Sequence, residues 1–148
     1  MVYQALSAVA YIHKNGYMHR DIKPENFLLV QSGGYNGEVL KLADFGLARG
    51  IKDGTTPLTE YVSTRWYRAP ELVLQQKNYI QTVDVFAIGC LMAEMYLGRP
   101  IFPGKSESDQ ILAIVSVLGA PKTQEWPEGH RLIQQKGQSF PNVSQNQL

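Results

Sequence analysis

The sequence predicts a mainly α chain (α+β class) that carries one short β-hairpin. Three observations predict it. Apolar residues recur at helical spacing over 2–14 and fill 82–97. A third stretch, ending at Gly119, opens with helix-capping residues. Two short apolar runs, 27–30 and 39–43, flank a segment made of turn residues.

Each element has its own signal. Val2, Leu6, Val9 and Ile12 share one helical face, with Ala5 and Ala8 beside them, and Asn15-Gly16 stops the helix. Gln31-Ser32-Gly33-Gly34-Tyr35-Asn36-Gly37 joins the two apolar runs, which reads as a hairpin. From Ala48 to Arg68 there is no apolar period, while Gly50, Gly54, Pro57 and several threonines recur. That is a long loop, and long ordered loops usually carry function. Pro70 suits the first turn of a short helix over 71–74. Thr82 is placed to cap a helix that runs to Leu97 and stops at Gly98. Apolar residues surround this helix on nearly every side, so it is expected to be buried. Ser106-Glu107-Ser108-Asp109 caps a helix over 111–118. Beyond Pro121 the pattern is weak, and 141–148 reads as a frayed end.

Composition excludes several classes. The 148 residues carry 14 Lys+Arg and 13 Asp+Glu, a formal charge of +1, so no basic field for nucleic acid exists. The apolar share of 44% and fifteen aromatics suffice for a core, and disorder of the whole chain is not expected. One cysteine, Cys90, cannot form an internal disulfide or a Cys-rich zinc site. The longest apolar run, Val85 to Ala93, has nine residues, where a membrane helix needs about 20. No basic stretch followed by an apolar block opens the chain. A soluble protein of the cytoplasm or nucleus, with no nucleic-acid or membrane partner, is expected.

Three motifs occur in order. His19-Arg20-Asp21-Ile22-Lys23-Pro24-Glu25-Asn26 precedes and enters the hairpin, Asp44-Phe45-Gly46 follows its second strand, and Ala69-Pro70-Glu71 closes the long loop. With these, in these contexts, nearly all of residues 1–140 resembles the C-terminal (large) lobe of a eukaryotic protein kinase. The resemblance implies phosphoryl transfer from ATP with Mg²⁺ as cofactor. Asp21 would take or orient the proton of the substrate hydroxyl, and Lys23 would present a cation to the transferring phosphate. Asn26 and Asp44 would supply hard oxygen ligands to Mg²⁺, and ATP would lie against Lys23, Asn26, Leu28 and Asp44. Lys23 together with Thr64 resembles the serine/threonine enzymes rather than the tyrosine enzymes.

Single residues in these motifs also have plainer readings. Alone, His19 reads as a packed histidine, and within the family it orients the loop rather than reacting. Asp84 reads as a favourable charge at a helix start; the resemblance makes it a brace for the loop backbone. Cys90 reads as core filler. His13 and His130 have no partner pattern and receive no role.

A second layer is finer. Thr59-Glu60-Tyr61-Val62-Ser63-Thr64-Arg65-Trp66-Tyr67-Arg68 is similar to the branch that holds MAP kinases and cyclin-dependent kinases. Val117-Leu118-Gly119-Ala120-Pro121 and the residues after it resemble the MAK/RCK group within that branch. The resemblance implies phosphorylation of Thr59 and Tyr61 by an upstream activating kinase, with Arg20, Thr64, Arg65 and Arg68 serving phosphate or substrate. It also implies protein substrates whose Ser or Thr is followed by Pro, and, by group analogy, a place in the cilium or flagellum.

The sequence departs from the family in extent. It holds no G-x-G-x-x-G loop, and Lys41 belongs to the hairpin, so it is not the nucleotide-gripping lysine of a V-A-I-K strand. Phe86 stands where the family usually has Trp. Residues 1–148 are thus expected to be a partial kinase domain, without the N-terminal lobe and the last helices, and inactive by themselves. The competing reading is a catalytically inactive lobe that serves as an interaction module.

Overall fold

The computed structural model describes residues 1–31, 37–51 and 64–141. The expected hairpin turn over 32–36, most of the long loop with Thr59 and Tyr61, and the expected frayed end from 142 lie outside the described residues.

Helix α1 (Val2–Lys14) buries Ala5 and Val9, one step of its apolar face, and ends at Gly16, whose φ of +85° suits a residue without Cβ. It lies on the hairpin and on the long helix that follows later in the chain. Gln4 ties it to the hairpin edge: its Oε1 accepts from Leu40 N at 2.6 Å and its Nε2 donates to the Glu38 carbonyl at 3.2 Å.

Strands β1 (Tyr17–Met18) and β4 (Arg49–Gly50) form one antiparallel pair. Strands β2 (Phe27–Gln31) and β3 (Glu38–Leu42) form the expected hairpin, with Phe27 opposite Leu42 and Leu29 opposite Leu40. Directly opposed residues share a face, so Phe27, Leu40 and Leu42 meet the core while Leu28 and Lys41 point away from it. The start of the segment expected as one long loop is therefore corrected: Arg49–Gly50 is a strand, because its amides find Tyr17–Met18.

Helix α2 (Pro70–Val73) begins at the expected proline. Helix α3 (Thr82–Leu97) ends at Gly98 with φ +66°, as the sequence predicts, although Gln81 rather than Thr82 holds the cap position and no side chain caps it. Its burial is one-sided, contrary to expectation. Val83, Asp84, Ala87, Ile88 and Cys90 are buried, while Val85 (51%), Met95 (57%) and Tyr96 (82%) are exposed. Helix α4 (Glu107–Leu118) has Ser106 as its cap, the hydroxyl accepting from Asp109 N at 3.1 Å.

The region read as unpatterned contains a fifth helix, α5 (Pro127–Gln135). Proline at its first position and one inward edge, Gly129 and Ile133, suffice because Ile133 joins Val73, Leu74, Ile111 and Val115 in a buried cluster. A larger cluster, built on Ala5, Val9, Ile22, Tyr67, Ala87, Ile88 and Phe102, lies beneath the loop that precedes the hairpin. Each buried Val, Ile or Phe side chain there contributes about 1.5–3 kcal/mol, so that loop rests on a substantial apolar cluster.

Candidate active site

The segment His19–Asn26 crosses from β1 to β2 and is anchored on buried Asp84 of α3. Asp84, 1% exposed, accepts from His19 N at 2.8 Å and from Arg20 N at 2.7 Å. His13 Nε2 lies 2.8 Å from the same Oδ2 that takes the His19 amide. Two consecutive backbone N–H groups thus point at one carboxylate, which forces Arg20 to φ +69°. A non-glycine residue in this region costs about 1 kcal/mol or more. The expected brace is present, and His13 belongs to it.

Asp21 follows. Its Oδ2 accepts from Lys23 Nζ at 2.7 Å and from Asn26 Nδ2 at 3.3 Å, and its carbonyl accepts from Asn26 Nδ2 at 2.8 Å. Asp21 and Asn26 are buried, while Lys23 is half-buried. Asn26 is turned so that its NH₂ serves Asp21, leaving Oδ1 as an acceptor that no hydrogen bond among the described residues uses.

The hairpin brings Asp44 to this loop. Ala43 N donates to the Asn26 carbonyl at 2.8 Å, and His19 Nε2 lies 3.0 Å from the Ala43 carbonyl. The His19 ring meets the edge of Phe45 with centroids 5.0 Å apart. Asp44 sits at φ +58° with its side chain exposed, and Oδ1 accepts from Gly46 N at 3.2 Å. Among the described residues only three non-glycine positions have positive φ, and two of them are Arg20 and Asp44. Strain of this kind collects where a fold fixes functional side chains. The oxygens of Asn26 and Asp44 are hard, and a magnesium ion that keeps its waters and shares a substrate's phosphates needs few protein ligands. The donor set fits Mg²⁺.

Arg20, Asp21, Thr64, Arg68 and Asp84 line one small cleft. Arg68 is partly buried, and burial holds its guanidinium below the usual arginine range, Asp21 acting the other way and Arg65 reinforcing the shift. Arg65 joins Arg68 in a short turn, its carbonyl accepting from Arg68 N at 2.9 Å. Tyr67 between them is buried, and its hydroxyl donates to Glu94 Oε2 at 2.7 Å; burial first, then this carboxylate, pushes the phenol up. Leu28, 53% exposed, stands on the outer face of the hairpin. Sequence reasoning gave no role to two residues that the fold brings here. His13 reaches Asp84, and buried Tyr79 accepts from Arg20 Nη1 at 2.8 Å. His130, also without an expected role, packs on Phe140 and lies 2.9 Å from the Pro121 carbonyl, far in sequence from this loop.

The helices, the hairpin and this loop form part of a protein kinase fold, and comparison with known proteins identifies the family. A family model described as "Protein kinase domain" matches residues 1–144, and the chain belongs to that family. It is 50% identical to the serine/threonine-protein kinase ICK of Rattus norvegicus over 148 residues, all of this chain and 23% of the relative. It is 51% identical to cyclin-dependent kinase F-4 of Oryza sativa subsp. japonica over 146 residues, 99% of this chain and 30% of the relative. To the serine/threonine-protein kinase MAK of Homo sapiens it is 50% identical over 141 residues, 95% of this chain and 22% of the relative. The chain therefore spans less than a third of the length of each of these relatives. The 117–129 segment resembles the MAK/RCK group, and a kinase named MAK is among these relatives.

Proposed function

We propose that the protein to which these residues belong is a serine/threonine kinase that transfers the γ-phosphoryl group of ATP to Ser or Thr hydroxyls of other proteins. The observation that carries this reading is the arrangement around Asp21. Its carboxylate is held by Lys23 and Asn26, and the same Asn26 is hydrogen-bonded through its carbonyl to Ala43, the residue before Asp44. In this reading Asp21 orients the attacking hydroxyl and receives its proton, while Lys23 faces the transferring phosphate. Asn26 Oδ1 and the Asp44 carboxylate would hold Mg²⁺, which when bound would neutralise charge on the phosphates. Leu28 offers an apolar surface to the nucleotide. The relatives named as serine/threonine kinases support the class of acceptor.

The finer proposal is that substrates carry Pro after the phosphorylated residue and that an upstream kinase modifies Thr59 and Tyr61. Arg65 and Arg68, joined through one turn, would provide forks for such phosphates, and Arg20, whose Nε and Nη1 are engaged by Leu47 and Tyr79, would add at most a further donor. The test is a peptide-library assay on the full-length protein beside Asp21→Asn. Phosphoryl transfer that favours Ser-Pro and Thr-Pro, and that falls at least about 1,000-fold in Asp21→Asn, is expected. Undiminished transfer by Asp21→Asn would overturn the assignment.

A further inference from the structure

Arg20 is pinned at both ends. Its backbone amide is held by Asp84, and its side chain reaches across to two other elements. Nε donates to the Leu47 carbonyl at 2.6 Å, in the turn after Asp44, and Nη1 donates to the Tyr79 hydroxyl at 2.8 Å. Tyr79 precedes α3, is 6% exposed, and packs with Met18, Ala69, Leu72 and Val83. The guanidinium is planar, so two acceptors on different nitrogens fix both its position and its plane. One acceptor would leave it free to turn about that bond.

We infer that Tyr79 is a positioning residue, whose hydroxyl locks the Arg20 guanidinium onto the Leu47 carbonyl and so fixes the separation of Asp21 from Asp44. Asp21 follows Arg20 in the chain, and Leu47 closes the short 3₁₀ turn that starts at Asp44. The Arg20 side chain is thus a strut between the proposed proton acceptor and the proposed metal ligand. Tyr79 touches neither ATP nor substrate in this reading, and it contributes nothing to binding. Its effect is on the alignment of two groups, and misplacement of about 1 Å at such a site costs rate rather than affinity. The inference rests on the kinase reading above.

The variant is Tyr79→Phe in the full-length protein, which keeps the ring in its apolar cluster and removes only the acceptor. With MgATP and a synthetic Ser-Pro peptide, kcat is expected to fall about tenfold, the scale of one lost hydrogen bond to a charged group. KM for both substrates stays within about twofold. In an Arg20→Ala background the same change adds less than about twofold, because the strut is already gone. A kcat within about twofold of the parent, an equal rise in KM, or a full tenfold loss in the Arg20→Ala background would each overturn the inference. A second readout separates it from the kinase reading. If the parent protein transfers no phosphate, that reading fails, and the strut is judged by hydrogen exchange at Arg20 Nε–H. Exchange at least about tenfold faster in Tyr79→Phe is expected, and unchanged exchange would refute the strut.

Discussion

Replacing Asp84 by Asn keeps the shape of the side chain and removes one acceptor, which makes its cost calculable from the bonds it makes. Oδ1 takes the Arg20 amide and Oδ2 takes the His19 amide, with His13 Nε2 on Oδ2 as well. The amide of Asn can keep its oxygen at the Oδ2 position, retaining two contacts, but its NH₂ then faces the Arg20 N–H donor to donor. One buried backbone N–H is orphaned, at about 1–3 kcal/mol, and the surviving bonds lose their charge assistance. Removing a buried charge returns part of that desolvation, so the net expected loss is about 2–3 kcal/mol. Asp84→Ala orphans both amides and should cost roughly twice as much. Against a typical total of about 5–15 kcal/mol the difference is large. Equilibrium urea unfolding followed by tryptophan fluorescence reads it directly as a lower midpoint at constant slope. Equal midpoints for Asp84→Asn and the parent, or an alanine variant no worse than the asparagine one, would refute the view that this carboxylate holds the loop.

Two further predictions follow from buried ionisable groups. Burial raises the Glu71 carboxyl above its usual range, so the folded state holds that proton more tightly than the unfolded chain does. Its contribution to stability is complete below the ordinary glutamate value and is lost as pH rises through the raised one. Glu71→Gln should therefore raise stability at pH 7 and flatten the fall of the unfolding midpoint between mildly acid and neutral pH; a variant that is less stable at pH 7 would contradict this. Burial likewise pushes the Cys90 thiol up to about 12, with the Glu94 charge adding to it. A soluble aromatic disulfide at pH 8 should leave native Cys90 unmodified and label it only on unfolding, and rapid labelling of the folded protein would be the contrary result.

How much of this was legible in the sequence depends on where the determinants of each element lie. Helix α4 was readable because its start and stop are local: Ser106 bonds the amide three residues on, and Gly119 takes φ +84°. Helix α5 was missed because its buried edge is only Gly129 and Ile133, and it is held by partners on α2 and α4 that no local pattern announces. The β1–β4 pair joins two-residue segments more than thirty positions apart, and short strands carry too few residues to show a period. Helix α3 misled for the opposite reason. Its apolar residues encircle it, yet the buried side is defined by Asp84, and Tyr96 stands exposed.

The candidate site divides in the same way. Asp21, Lys23 and Asn26 lie within six consecutive residues, and their hydrogen bonds span at most five positions, so a contiguous motif records them. The residues that hold this motif in place do not share that locality. His13 meets Asp84 across 71 positions, and Arg20 meets Tyr79 across 59, contacts that exist only once α1, β1 and α3 have packed. Nor does anything local mark Arg20 and Asp44 as residues with positive φ, since neither is glycine. Their conformations are unfavourable alone and persist because Asp84 takes the two amides on one side and Gly46 N bonds the Asp44 carboxylate on the other. The residues proposed for the chemistry lie in a short stretch of chain, while the geometry that holds them is distributed over bonds between segments far apart in sequence. A substitution at Asp84, His13 or Tyr79 can thus disturb the geometry of an intact His19–Asn26 motif without altering a single residue within it.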